Sequence, residues 1–316
     1  EDWMDDDGLS PEPVYVCVKA TITEDVFIAD FTGSAAQVRG PINCTWTRLQ
    51  SACRTIFKAI TDPHAATNDG WFRPLHVICP PGTVFTAQRP APVSTYWETG
   101  AYAVDLLWHA LFPALPDRLT AGHSLSVCGT VISGVGEDGY PFIMVEPQAG
   151  GWGAGATKDG ESGLVVVGDG ETYVMPVEIC ETRYPLLVEQ FTFNLQPAGA
   201  GRYRGGLGLV REYRLLAEAA RLTTTFGRHR FPPWGAAGGH PGSTNGVAVI
   251  PKDAAAPILW KGKLARYPLR RGDRVRLVTG TGGGYGPPSE RDPRAVCADV
   301  RNGLLTEEQA RALYGI

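Results

Sequence analysis

Apolar residues recur at every second position in two runs near the start of the chain. One run extends from Val14 to Val18 and the other from Phe27 to Phe31, and the polar residues at 23–25 separate them. A period of two places the apolar side chains on one face of a strand, and Thr-Glu-Asp suits a turn. The pattern therefore predicts a half-buried β-hairpin.

Two later stretches have the period of an amphipathic helix. The first begins at Thr45 and ends at Asp62, and its apolar residues are Leu49, Cys53, Ile56, Phe57 and Ile60. The second ends near Pro113, and its apolar residues are Val104, Leu107, Trp108 and Leu111. Spacings of three and four residues put each set on one side of a helix, and proline stops a helix because it lacks an N–H group. We predict two helices that pack on a sheet.

Strand and turn patterns dominate the rest of the chain. Extended runs separated by Gly, Pro and Asp are predicted at 125–133, 141–146, 163–167, 186–195, 208–216, 222–226, 246–250 and 273–279. The sequence thus predicts an α+β fold that is β-rich, with mixed or antiparallel sheets and a few packed helices. Its expected organisation is an α+β segment at 1–120, with the hairpin and two helices, and a β-rich segment with C-terminal helices at 121–316.

Two short helices are predicted at the C-terminal end. Asp292 and Pro293 suit the N-cap and first position of a helix that runs toward residue 302. Thr306 and Gln309 have the spacing of a capping box, in which each side chain bonds the other residue's N–H group.

Composition excludes several classes of protein. The chain has 316 residues, 43% of them hydrophobic, so it can bury a sizeable core. Its net charge is −4 with both signs interspersed, which gives no basic surface for nucleic acid. No apolar run approaches the ~18 residues of a membrane span. The first residues, EDWMDDDG, lack the basic and apolar regions of a secretion signal. We expect a cytoplasmic protein with no nucleic-acid or membrane partner.

Cysteines and histidines indicate no metal site in this chain. The seven cysteines include no CxxC pair, and the six histidines include no HExxH motif. Scattered cysteines of odd number are typical of reduced, buried thiols.

Glycine-rich loops are the most distinctive local feature. GGWGAGATKDG begins at Gly150, and Gly155 has the spacing of a phosphate-binding loop, but Ala156 stands where that loop requires lysine. GAGRYRGGLG begins at Gly199 and GTGGGYG begins at Gly280. Runs of glycine amides can form an anion-binding nest, but they are also ordinary turns, and the sequence leaves both interpretations open.

Candidate site residues come from these loops and from one turn. In the first loop Gly150, Gly151 and Gly153 could offer backbone N–H groups, and Asp159 follows them. The other candidates are charged residues, namely Asp30 and Arg39 around the turn after the hairpin, and Arg202 and Arg204 in the second loop. Arginine can bind an anion with two N–H groups where glycine lets the backbone approach closely. The alternative for each residue is turn architecture only.

Read in order, these motifs resemble the B subunit of the hydantoinase B/oxoprolinase family. The segments that carry the resemblance are EDWMDDDG, IADFTGSAAQVRGPIN, NDGWFRPLHVICPPGTVF, GGWGAGATKDG, PVEICETRYPLLVEQF, GAGRYRGGLGLVREY, RFPPWGAAGG and GTGGGYGPPSERDP. The family's B subunits are longer, so the chain is expected to correspond to a C-terminal portion or to one piece of a split subunit. The family's His and Asp metal-ligand motifs belong to the N-terminal half, where a divalent metal is expected.

The resemblance implies chemistry that depends on ATP. It implies a hydantoinase A-type ATPase subunit of actin-like fold as partner, which would bind ATP and Mg²⁺, and possibly a separate N-terminal B-type piece. The leading interpretation is hydrolysis of a small cyclic amide such as a hydantoin, 5-oxoproline or a lactam, through phosphorylation of an unreactive oxygen. The eight candidate residues would be catalytic (Asp30, Arg39, Asp159, Arg202 and Arg204) or would bind the reacting group (Gly150, Gly151 and Gly153).

Two alternatives stay open. Many amidase-type relatives have an asparagine-rich segment before the Pro-Val-Glu motif, whereas this chain has VGDGETY at 167–173. That departure argues against hydantoin as the substrate and leaves the ketone-carboxylase branch open, with substrates such as acetone or acetophenone. A third interpretation is a non-catalytic assembly module that docks the ATPase subunit.

Overall fold

A computed structural model describes residues 1–170 and 172–316, and the chain divides into two compact units. The units comprise Glu1–Leu119 and Thr120–Ile316. Glu171, in the segment that departs from the amidase-type pattern, lies outside the described residues. Within the described residues, no helix combines the length and the apolar character needed to cross a membrane.

The first unit contains two small sheets. Strands β1 (Asp2–Met4) and β2 (Val14–Val16) pair antiparallel. Strands β3 (Lys19–Ile22), β4 (Phe27–Asp30) and β5 (Leu75–Ile78) form a sheet in that order, antiparallel between β3 and β4 and parallel between β4 and β5. A hairpin does form around the predicted turn, but its first strand is β3, and the first apolar run pairs with β1 instead of β4.

Both helices predicted for the first unit are confirmed. Helix α1 covers Trp46–Thr61, and the Thr45 hydroxyl accepts a hydrogen bond from the Arg48 N–H group at 3.4 Å. Helix α2 covers Tyr96–Leu111 and packs against α1. The side chains that α1 buries are Leu49, Ala52, Cys53, Ile56 and Phe57. The apolar face read from the sequence is thus the face that packs inward.

The second unit is built around two antiparallel sheets. The four-stranded sheet has the order β13-β10-β6-β7, with β6 at Gly129–Val135, β7 at Pro141–Glu146, β10 at Ala219–Thr225 and β13 at Lys263–Arg270. The five-stranded sheet has the order β12-β11-β14-β9-β8, with β8 at Leu186–Phe193, β9 at Leu209–Leu215, β11 at Gly246–Ile250, β12 at Leu259–Lys261 and β14 at Arg274–Val278. Helix α3 (Val177–Arg183) precedes β8.

Apolar side chains from both sheets form one continuous core. Ile132, Met144 and Leu222 come from the four-stranded sheet, and Tyr213 and Leu277 come from the five-stranded sheet. All five are 1% exposed or less. Burial of this kind contributes about 25 cal/mol for each Å² of apolar surface removed from water, and it holds the two sheets face to face.

Two helices end the chain as predicted. Helix α4 covers Pro293–Arg301, and Asp292 caps it by accepting the Arg294 N–H group at 2.8 Å. Helix α5 covers Glu307–Tyr314 and begins with the capping box of Thr306 and Gln309. These helices bury a small core of their own with Ala200, Val296, Leu305, Ala310 and Tyr314.

Strand predictions succeed where alternation is clear and fail where the backbone is irregular. The runs at 141–146 and 246–250 match β7 and β11. The run at 125–133 becomes strand only from Gly129, because Leu125 and Cys128 have φ values of 64° and 51°, outside the extended region. The strand predicted at 163–167 is wrong, since only an isolated bridge occurs there. The α+β fold class is confirmed.

Candidate functional site

Backbone segments from the three glycine-rich loops hydrogen-bond directly to one another, and we call residues 150–160, 199–208 and 280–286 the glycine web. The Gly151 N–H group donates to the Gly280 carbonyl at 3.0 Å, and Gly282 donates to Gly206 at 2.9 Å. Gly199 in turn donates to Gly282 at 3.0 Å. Motifs that are up to 130 residues apart in sequence therefore form one framework.

Glycine is required in the web because the backbones touch. A Cβ atom at Gly206 would overlap the Glu161 carbonyl, and one at Gly282 would overlap the Trp152 carbonyl. At Gly153 a Cβ would overlap the carbonyl of Ala121. None of these obstacles is a flexible side chain, so the web has no room for any other residue at these positions.

The three glycines predicted to bind the reacting group lie in this web. Their N–H groups are all engaged within the chain: Gly150 donates to the Leu164 carbonyl at 2.8 Å, Gly151 donates to Gly280, and Gly153 donates to His123 Nδ1 at 3.0 Å. An N–H group that already donates is not available to an anionic oxygen. The structure thus assigns these glycines a packing role.

His123 is a member of the site that sequence reasoning did not select. Its ring stacks on Trp152, with centroids 4.4 Å apart and planes 25° apart, and the side chain is buried. Burial lowers the pKa of His123 to about 4. The imidazole is therefore neutral near pH 7, which suits its role as acceptor from Gly153. An isolated histidine in the sequence gives no signal of this role.

A network of two arginines and two aspartates lies beside the web, and we call Asp159, Arg204, Arg291 and Asp299 the charge network. Arg291 binds both carboxylate oxygens of Asp159, at 2.7 and 2.8 Å, and binds Asp299 at 2.8 Å. Arg204 binds Asp299 through Nε at 3.2 Å, and its backbone N–H group donates to Asp159 at 2.9 Å. The network joins α4 to two glycine loops.

Electrostatics within the charge network follow from this pairing. Burial acts to raise the pKa of Asp159, but the hydrogen bonds and positive charge of Arg291 outweigh it and hold that pKa below its ordinary value. Burial likewise acts to lower the pKa of Arg291, and the two aspartates reverse this effect. Asp159 and Arg291 therefore stay ionised near neutral pH and form a charge-assisted pair.

The predicted charged residues of the second unit therefore have different surroundings. Asp159 and Arg204 are committed to the charge network, whereas Arg202 is exposed and lies over the Tyr203 ring at 5.5 Å. Arg202 lines a pocket of about 410 Å³ together with Lys158, Asp159, Tyr203, Glu290, Arg291, Asp292 and Ala295. Of the two arginines chosen from the second glycine loop, Arg202 is the one whose guanidinium can meet a ligand.

Asp30 and Arg39 belong to the first unit. The Asp30 carboxylate accepts the Thr32 N–H group at 2.9 Å, and hydrogen bonds from Thr32 lower the pKa of Asp30. The Arg39 side chain is exposed, and the next residue, Gly40, donates its N–H group to Asp7 at 2.8 Å. Asp30 thus shapes a turn, and Asp7 fixes the loop that carries Arg39.

Sequence reasoning also missed a buried ionic cluster between the two sheets. Glu146 at the end of β7 accepts hydrogen bonds from Arg211 at 2.6 Å, Tyr213 at 2.6 Å and the Met175 N–H group at 2.7 Å. Arg211 and Tyr213 lie on the same face of β9 with Glu212 between them, and no local motif marks them. Among the described residues no group of three or more His, Cys, Asp or Glu side chains could hold a metal ion.

The sequence profile of the Hydantoinase B/oxoprolinase family matches residues 1–288 of this chain. The chain belongs to that family. The resemblance read from the glycine loops is thereby confirmed.

Curated relatives extend the comparison. The chain is 33% identical over 304 residues to an uncharacterized protein of Methanocaldococcus jannaschii, covering 96% of this chain and 52% of the relative. It is 31% identical over 298 residues to the caprolactamase subunit beta of Pseudomonas jessenii, covering 83% of this chain and 46% of the relative. The chain thus spans about half the length of these relatives.

Solved structures share the fold. The crystal structure of ATP-dependent caprolactamase from Pseudomonas jessenii superposes with a TM-score of 0.82 at 24% identity, covering 95% of this chain and 53% of that one. The nucleotide-free structure of acetone carboxylase superposes with a TM-score of 0.80 at 22% identity, covering 96% and 45%. At these identities the likeness concerns the fold alone.

Proposed function

We propose that the chain is part of the B-type subunit of an ATP-dependent enzyme that hydrolyses cyclic amides. The observation that carries this proposal is the 31% identity to the caprolactamase subunit beta. Membership of the hydantoinase B/oxoprolinase family supports the same class of reaction. The name caprolactamase subunit beta also indicates that the relative works with another subunit. We propose that the partner of this chain is an A-type ATPase that binds ATP and Mg²⁺ in the cytoplasm. We propose that a divalent metal binds in the part of the B-type subunit that this chain does not span.

Arg202 is the residue we propose for contact with the substrate. Cyclic amides resist hydrolysis, and phosphorylation of the amide oxygen by ATP would make the ring carbon a better electrophile. Water would add to that carbon, the C–N bond would break with the nitrogen leaving as the amine, and the phosphoryl group would be released to water as phosphate. The phosphorylated or oxyanionic species is negatively charged, so a guanidinium on the wall of the pocket would stabilise it. The charge network next to this wall supports a fixed position for the loop, because Arg291 donates to the Arg202 carbonyl at 3.4 Å.

The test is turnover by the assembled complex. The chain would be purified with the rest of the B-type subunit and with the A-type subunit. The complex would then be incubated with ATP and ε-caprolactam, hydantoin or 5-oxoproline. We expect ring-opened product and ADP in equal amounts, and no product without ATP. We expect Arg202→Ala to lower kcat/KM by about tenfold or more, since a charge-assisted hydrogen bond is lost. Arg221→Ala, on exposed strand surface, is the matched control. A complex that assembles but opens no ring would contradict the proposal.

Ketone carboxylation is the second candidate. The TM-scores to the caprolactamase and acetone carboxylase structures differ by little, so the fold favours neither reaction. The same complex would be incubated with acetone or acetophenone, with and without bicarbonate. Turnover that requires bicarbonate would establish the carboxylase, because bicarbonate supplies the added carbon. An assembled complex in which neither reaction occurs would favour a non-catalytic assembly module.

A further inference from the structure

We propose that a groove between α1 and β5 binds an extended polypeptide segment that carries an acidic side chain. The segment would come from the part of the B-type subunit that this chain does not span. The groove has a volume of about 380 Å³ and is lined by Trp46, Gln50 and Arg54 from α1, by Ile28 from β4, by Phe72, and by residues 75–78. The inference rests on the proposed B-type role and is independent of the substrate.

The free edge of β5 forms one wall of the groove. Strand β5 is the last strand of its sheet, and its only partner among the described strands is β4. The Phe27 N–H group donates to the Pro74 carbonyl and Phe31 donates to Ile78, both at 2.8 Å. Even-numbered residues of β5 therefore bond β4, and the backbone N–H and C=O groups of Val77 point away from it, because these groups alternate along a strand. An added strand would find a ready hydrogen-bonding edge.

Helix α1 and Phe72 form the opposite wall and the floor. Trp46, Gln50 and Arg54 are four residues apart, so they follow one side of the helix. Trp46 is 41% exposed, and Ile78 on the facing strand is 46% exposed. A helix beside an open strand edge is suited to hold an extended segment, with side-chain pockets on one side and backbone partners on the other.

Two positively charged side chains, Arg54 and Lys58, lie at the far end of the groove. A neighbouring pocket of about 460 Å³ shares Gln50, Arg54 and Phe72 with it and extends to Lys58. The Lys58 ammonium is shielded from solvent, lies 4.3 Å from the Trp71 ring, and has no hydrogen-bond partner within residues 1–170 and 172–316. Arg54 pairs only at 3.5 Å with Asp69, whose side chain is 95% exposed. A cation that is shielded from water and lacks a hydrogen-bond acceptor would be stabilised by a nearby carboxylate.

The source of the segment follows from the relatives. The chain spans 52% of the Methanocaldococcus jannaschii relative and 46% of the caprolactamase subunit beta, and each relative is a single polypeptide. Their remaining residues belong to the same polypeptide, and the groove is a surface of this half on which a segment of them could pack. From Trp46 to Lys58 the helix rises about 18 Å, which a strand of about five or six residues matches. The groove and the neighbouring pocket together thus have the length of one short strand.

Hydrogen exchange in the assembled protein tests this inference. Amide exchange at residues 75–79 would be measured by mass spectrometry in the isolated chain and in the chain assembled with the rest of the B-type subunit. The rest of the subunit could be fused to this chain or supplied as a second polypeptide. We expect exchange to slow by about 100-fold on assembly, since a new strand pairs with Val77. Neither ATP nor substrate is needed, so failure here is distinguishable from failure of the proposed function.

Two variants and one control sharpen the test. Val77→Pro removes the N–H group that points away from β4 and leaves the hydrogen bonds to β4 in place. We therefore expect the isolated chain to keep the circular dichroism spectrum of the unsubstituted chain. In the assembled chain we expect the protection of residues 75–79 against amide exchange to fall about tenfold. Lys58→Met should reduce protection by about threefold or more because the carboxylate loses its partner. Ala20→Pro is the control, since Ala20 lies on β3, at the opposite edge of the same sheet, and it should change nothing.

Three outcomes would overturn the inference. Equal exchange at 75–79 in the isolated and assembled chains would show that nothing pairs with β5. Protection that grows with the concentration of the isolated chain would identify a second copy as the occupant. Protection that requires the A-type subunit would assign the groove to that partner.

Discussion

The sheet core and the glycine web of the second unit are held together in opposite ways. In the core, side chains such as Ile132, Leu222 and Leu277 are buried between two sheets, and their apolar surface supplies the stability. In the web, backbones touch and bond one another, as Gly151, Gly206 and Gly282 do, and there are almost no side chains between them. The sheet core depends on side-chain volume, whereas the glycine web depends on the absence of side chains.

This difference has a consequence for tolerance to change. A core that loses a methyl group can relax partly, and its cost grows with the cavity that remains. A web whose backbones are in contact cannot accept one added carbon without moving a hydrogen-bonded segment. We therefore expect the smallest substitution in the web to cost more than a large truncation in the core.

The largest effect is expected for Gly206→Ala. The added Cβ would overlap the Glu161 carbonyl, so the web would have to separate, and we expect a loss of more than about 4 kcal/mol in the free energy of unfolding. Gly155→Ala is the matched control in the same web, because its Cβ would meet only the Thr120 methyl group at 3.6 Å. Urea unfolding of both variants measures the difference. Equal stability of the two would contradict the account of the web.

Leu222→Ala should have the next largest effect. Leu222 is fully buried between the sheets, and its truncation should lower the free energy of unfolding by about 3 kcal/mol through lost transfer energy and a cavity. Thermal and urea unfolding measure it. If this variant proved less stable than Gly206→Ala, the proposed ranking of the two regions would be reversed.

Acidification should weaken the web through His123. Its pKa of about 4 in the folded chain lies below the ordinary value of 6.5, so the folded state binds the proton less readily than the unfolded state. Stability is therefore fully present above about pH 6.5 and falls as the pH drops toward 4, by about 2 kcal/mol at pH 5. Urea unfolding at several pH values measures this slope. His123→Asn keeps an acceptor for Gly153 but does not titrate, so its slope between pH 7 and 5 should be shallower.

Tyr213→Phe should have the smallest effect. The variant keeps the ring in the core and removes only the hydroxyl that donates to Glu146 at 2.6 Å. We expect a loss of about 1 to 2 kcal/mol, because Glu146 keeps its bonds to Arg211 and Met175. Chemical unfolding at pH 7 would measure it, and a loss larger than that of Leu222→Ala would show that the ionic cluster outweighs apolar burial.

Much of the fold could be predicted because it follows from local patterns. The apolar positions of α1, the alternation in β7 and the capping box at Thr306 each specify an element over fewer than twenty residues. The strands Leu75–Ile78, Leu259–Lys261 and Lys263–Arg270 escaped prediction because, apart from Leu269, their residues are half-buried or exposed and form no buried apolar face. Elements with a clear period were found, and edge elements without one were not.

The candidate site was harder to predict for a related reason. The glycines and arginines were found from their unusual local sequence, but the partners that decide their roles lie far away. Arg204 meets Asp299, 95 residues later, and Asp159 meets Arg291, 132 residues later. No local rule pairs such residues, so the sequence left Arg202 and Arg204 equivalent and only the fold distinguishes them.

By itself, the sequence determined the secondary elements with regular periods, the α+β class, the helix caps and the family resemblance, since each depends on residues close in the chain. Only the tertiary structure decided that the glycine loops bond one another, that Arg204 is committed to an ion pair while Arg202 faces a pocket, and that the Lys58 ammonium has no hydrogen-bond acceptor among the described residues. Such facts depend on distances between remote segments. They exist only once burial and backbone hydrogen bonding have brought those segments together.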